Sequence, residues 1–192
     1  TIGEINEIYS DNNYTNSLGA IWTGETGEYE YYPYFTPTAS GELGMAYGYQ
    51  TTASGVLSHA EGYKTTASGN YSHAEGFQTT ANGNFSHAEG VSTNATNASH
   101  AEGANTSATG YASHAEGVLS IASGETSHAQ GYQTIAGGTY SHAQGQQTTA
   151  NGENSHAEGQ QTTAIGLASH AEGRDTLASG DYSHAEGYSN VA

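Results

Sequence analysis

The pentapeptide Ser-His-Ala-Glu-Gly sets an imidazole and a carboxylate two residues apart, so that on an extended chain both lie on one face. That pair could form half of a metal site or a general acid–base couple. It recurs as His59–Glu61, His73–Glu75, His87–Glu89, His100–Glu102, His114–Glu116, His156–Glu158, His170–Glu172 and His184–Glu186. In two further copies the acid is an amide, His128–Gln130 and His142–Gln144. Catalysis needs one distinctive constellation of nucleophile, base and supporting groups. Ten equivalent copies supply none, and adjacent Ser and His point to opposite faces of a strand, which excludes a Ser-His-acid triad. No catalytic residue is therefore assigned. Gln keeps a hydrogen-bonding oxygen but is a poor metal ligand, so the position calls for hydrogen bonding more than for charge, and no metal ligand set is assigned either.

The elements that must position these groups follow from the spacing. Successive His residues are fourteen apart, except His87 to His100, which are thirteen apart. A second word, Thr-x-Ala-x-Gly, interleaves, as in Thr65–Gly69, and a divergent copy, Leu43–Gly48, places Met45 and Tyr47 at the His and Glu positions. Fourteen residues are too few for a two-helix repeat or a propeller blade. They fit one coil of two strands of about five residues joined by two tight turns, with about eleven coils in a parallel stack. The glycines, Gly62, Gly69, Gly76, Gly83 and Gly110 among them, are expected to supply positive φ in the turns. Asn97 stands in for the turn Gly in the short copy, and Asn is the next residue most tolerant of left-handed φ.

Composition narrows the functions. The 192 residues carry a formal charge of -17 with Lys64 and Arg174 as the only basic side chains, so a phosphate-binding footprint and attraction to anionic membranes are excluded. There is no cysteine, and no apolar run approaches membrane-spanning length. A chain this polar would pass for disordered were it not for its periodicity, because stacked repeats build a core that one unit cannot. It begins at Thr1 and stops partway through a repeat, as a piece of a longer polypeptide would.

Strand parity puts Ser, Ala and Gly of the pentapeptide inside the coil, and Tyr or Phe, His and Glu outside. In the second strand Thr79 and Ala81 point in and Thr80 points out. An interior of Ala, Ser and Thr buries little apolar area per coil, so the larger face must be covered by another copy of the chain, with cyclic symmetry. His and Glu/Gln then form polar ladders at that interface, each His donating to an acid or amide of the neighbouring chain. The protonation state of the His ladder stays open at this level: a His bonded as a cation loses stability as pH rises, and a His buried neutral loses it on acidification. The aromatic positions Tyr63, Tyr71, Phe77, Phe85, Tyr132 and Tyr140 are a candidate ligand face, or plugs between chains. A calcium roll lacks its Asp repeats, and a flat ice-binding Thr array is interrupted by Ile121, Ile135, Leu177 and Val191.

The alternation of Ser-x-Ala-x-Gly with Ala-x-Gly half a period later resembles the head repeats of trimeric autotransporter adhesins, the YadA-like or Hep/Hag repeats. The Ser-His-Ala-Glu-Gly form is similar to the variant in phage and prophage tail-fibre-like proteins. The resemblance covers residues 38–192 and implies an all-β, left-handed parallel β-roll, three rolls side by side about one axis. It also implies an extracellular, non-enzymatic attachment segment on a virion tail fibre or a bacterial surface, with a cell-surface glycan or protein receptor as partner. It implies no cofactor, a metal ion or anion on the threefold axis being the alternative. In that family apolar residues stand where this chain has His and Glu, so a polar interface replaces a hydrophobic one. Residues 1–37, rich in Tyr, match no known pattern and are expected to be a cap or connector.

Overall fold

In the computed structural model, which describes residues 20–22, 29–31 and 37–192, the repeat region is a two-sheet parallel solenoid. One sheet stacks eleven strands in chain order, ten long ones of five residues from Met45–Tyr49 to His170–Arg174 and the short His184–Ala185. The other stacks eleven two-residue strands, from Thr38–Ala39 to Leu177–Ala178. Each strand pairs in parallel with its counterpart one coil away, in perfect phase: His73 beside His87, Ala74 beside Ala88, Glu75 beside Glu89. Among the described residues there is no helix. The expected second strand of about five residues is shorter than that, because Thr79 turns inward just after a left-handed residue and Gly83 begins the next turn soon after Ala81. Apart from the antiparallel pair Ala20–Trp22 with Tyr29–Tyr31 and residue 37, the expected cap at 1–37 lies outside the described residues.

The interior is as small as the sequence implies. Its apolar part is alanine alone, from Ala39 to Ala185, flanked by buried Ser and Thr such as Ser72 and Thr79. Thr79 and Ala81 point in and Thr80 is half-exposed, as parity requires. The pentapeptide Gly does not follow parity: Gly76 is exposed.

The glycines serve differently from expectation. Gly62 and Gly76 do have positive φ, 120° and 113°, but as the fourth residue of a long strand, not in a turn. Gly69, Gly83 and Gly110 open the turns without positive φ. They are glycine because a Cβ there would stand 1.9–2.0 Å from backbone of the next coil. The left-handed turn conformation falls on ordinary residues, among them Tyr71 (57°), Phe85 (60°) and Ala112 (51°). A second left-handed residue follows each long strand, as at Lys64 and Gln78.

Hydrogen bonding explains this cost. Strand amides donate forward to the next coil, His59 N–H to Ser72 C=O at 2.9 Å, whereas the left-handed residues donate backward, Tyr71 N–H to Val56 C=O and Gln78 N–H to Tyr63 C=O, both 2.8 Å. Each coil is thus tied to both neighbours, and a left-handed φ costing about 1–2 kcal/mol is offset by a backbone amide that would otherwise lack a partner. Asn97 is left-handed as expected (53°) and is followed by left-handed Ala98 (58°). The pair forms a two-residue primed turn, closed by Ser99 N–H to Thr96 C=O at 3.1 Å, which absorbs the missing residue.

Candidate functional site

Register turns the pentapeptide into a ladder. Because parallel pairing sets every His beside the next, the ten imidazoles form one continuous column, with ring centroids 4.7–4.9 Å apart and planes within 6° of parallel. Tyr47, at the Glu position of the first coil, meets His59 edge-on at 5.8 Å. Beside this column runs the row of Glu and Gln. From His59–Glu61 to His170–Glu172 the Nε2 to carboxylate distance within a coil is 3.5–3.8 Å, an ion-pair distance that is long for a hydrogen bond. The Nε2 atoms are sealed from solvent without a hydrogen-bond partner, although these His side chains as a whole are 28–37% exposed.

The amide copies bond along the row. Gln130 Nε2 donates to Glu116, and Gln144 Nε2 donates to Glu158 at 2.9 Å. Sequence reasoning marked these positions as hydrogen-bonding but looked for partners across chains, whereas the partners are carboxylates one coil away. Only the register, with residues fourteen apart brought side by side, shows this.

Burial holds the pKa values of His59, His73, His87, His100, His128, His142 and His156 below the ordinary imidazole value, and a neighbouring imidazolium lowers them further. The nearby carboxylates act in the opposite sense without reversing the shift. Of the two states left open by the sequence, these rings favour the neutral one. In four places, such as His87–Glu89–His100, two ring nitrogens and a carboxylate oxygen lie within 4.8 Å of one another. Stacked rings aim their nitrogen lone pairs in parallel, and an ion at about 2.1 Å from each nitrogen spans at most about 4.2 Å. Two neighbouring rings share an ion only by unstacking.

The aromatic face divides in two. Tyr49, Tyr63 and Phe77 stack at 4.7 and 4.9 Å, and Tyr71 stacks on Phe85 at 5.1 Å. Each of those rings gives at least one face to a neighbour, although Tyr71 and Phe85 remain well exposed. Tyr132 and Tyr140, 45% and 55% exposed, join no such stack among the described residues. Ser72, the hydroxyl next to His73, is buried and donates to Gly69 C=O at 2.6 Å, so it is a turn clamp and is turned away from the imidazole. Composition gave no warning that Val118 lies beside Tyr132 and Ile121 beside Ile135, all partly exposed; register brings these residues of successive coils side by side.

No curated protein matches the chain. The model of the YadA head domain repeat matches at residues 115–141 and again at 143–169, each segment just short of two coils. The coils that it covers have the same fourteen-residue period, parallel strands and inward Ser and Ala as the rest of the solenoid, and residues 115–169 carry YadA head domain repeats.

Proposed function

We propose that this chain is a head segment of a trimeric adhesin-type fibre, in which three rolls lie side by side along their His/Glu faces and present their outer surfaces for attachment outside the cell. The interface consists of His59 to His184 with the accompanying Glu and Gln residues. The observation that carries this reading is the partly exposed imidazole column, a regular strip of stacked rings that repeats once per coil beside its Glu and Gln row. A second copy of the same strip, in the same register, is the surface that matches it at every rung. Of the two settings, a virion tail fibre is favoured by the Ser-His-Ala-Glu-Gly wording and a bacterial surface is the alternative. No step of this function requires catalysis or a cofactor.

The test is the native mass by light scattering of residues 38–192, alone and with Glu75→Arg and Glu102→Arg together. A trimer that the double variant reduces to monomer supports the reading, and a monomeric parent overturns it. The glycan-binding alternative narrows to the unstacked rings. If it holds, Tyr132→Ala and Tyr140→Ala abolish binding on a glycan array while Phe77→Ala leaves it unchanged.

A further inference from the structure

The imidazole column is continuous, but its carboxylate companion is not. Five carboxylates run from Glu61 to Glu116 and three from Glu158 to Glu186, with Gln130 and Gln144 between them. We propose that the two Gln coils, residues 128–146, are the acid-labile point of the roll, where a fall in pH loosens the stack first.

The argument is geometric. His128 and His142 stack on each other at 4.8 Å, and on His114 and His156 at 4.8 and 4.9 Å. The groups facing them are few. Their own strands offer Gln130, Gln144 and the exposed Tyr132, the coil before offers His114 and Glu116, and the coil after offers His156 and Glu158. The short strands behind, Ile121–Ala122, Ile135–Ala136 and Thr149–Ala150, carry no ionisable group. Glu116 and Glu158 are each already engaged by a Gln amide. A proton on either ring would therefore have no carboxylate of its own coil to answer it, and would repel any proton taken up by the ring stacked on it.

Both rings are held below the ordinary imidazole value by burial first and by the adjacent imidazolium second. His128 is countered by Glu116 alone and His142 by Glu158 alone, whereas His73, His87 and His100 are each countered by three carboxylates. The sign follows from linkage. Above about pH 6.5, the unfolded value, both the closed and the opened coil are neutral and the full stability is present. As pH falls, the opened coil takes up protons that the closed one refuses, so stability is lost towards the lowered folded value. The loss is greatest where the folded ring has fewest carboxylates. All of these contacts lie within one chain.

Hydrogen exchange followed by mass spectrometry at pH 7 and pH 5, corrected for the intrinsic rate, tests the location. Peptides within 128–146 are expected to lose most protection, and a uniform loss, or a larger loss in 73–102, overturns the proposal. Melting temperatures test the cause. With Gln130→Glu and Gln144→Glu together, the drop from pH 7 to pH 5 narrows by about 2 °C or more. With Glu89→Gln and Glu102→Gln together, it widens. A merely structural role shifts the melting temperature equally at both pH values, and equal drops in all three proteins overturn the proposal.

Discussion

At the scale of single residues, the inward Thr column shows how narrow the interior is. Thr79 and its counterparts Thr65 and Thr93 bury their hydroxyls without a hydrogen-bond partner, while Thr134 donates to Ser120 Oγ at 3.0 Å because the smaller Ser leaves a hydroxyl within reach. A buried hydroxyl without a partner costs about 1–3 kcal/mol. Thr79→Val, which replaces it with a methyl of similar size, is expected to raise stability by about 1 kcal/mol. Thr134→Val breaks a bond that is made and is expected to lower stability by about the same amount. Chemical denaturation of the two variants checks this, and equal effects would mean that the interior does not discriminate between the sites. The inward Thr was legible from parity alone. Its missing partner was not, because that depends on which residue occupies the same position one coil away.

At the scale of the element, the turn divides into a position that must have no Cβ and a position that must be left-handed. Glycine marked the turns in the sequence, and the period and strand faces could be read from it. The division of labour was hidden, because absence of a side chain answers both close approach and positive φ. At Gly69 the demand is space, a Cβ falling 1.9 Å from Gly83 O, and Gly69→Ala is expected to cost more than about 3 kcal/mol by pushing two coils apart. At Ala112 the demand is φ, 51°, and Ala112→Gly relieves left-handed strain of about 1–2 kcal/mol against about 0.4–1 kcal/mol of added chain entropy. A net gain of about 0.5–1 kcal/mol is expected. Opposite shifts in melting temperature for the two variants test the division, and a stabilising Gly69→Ala would refute it.

At the scale of the whole molecule, sequence alone defined the roll, its coil count and its outward face, because identical rungs in parallel register leave few alternatives. It could not define how charge is distributed along the stack. Glu61, Glu75, Glu89, Glu102 and Glu116 form a row one coil apart, and among them only Glu116 receives a Gln amide. A formal charge of -17 with two basic residues leaves little to balance that row. At a spacing of about 4.8 Å, adjacent carboxylates repel, and placing three rolls with these faces together brings further rows close. Salt screens such repulsion, over about 30 Å at 0.01 M and about 8 Å at 0.15 M. The melting temperature at pH 7.5, where the buried rings with lowered pKa values such as His73 and His87 are neutral, is therefore expected to rise as NaCl increases from 10 to 500 mM. If the ladder were instead held by imidazolium–carboxylate attraction, the same salt would weaken it and the melting temperature would fall. Repeating the titration with Glu75→Gln and Glu89→Gln together removes two charges from the middle of the row. The salt dependence should shrink, and an unchanged slope would place the repulsion elsewhere on the molecule.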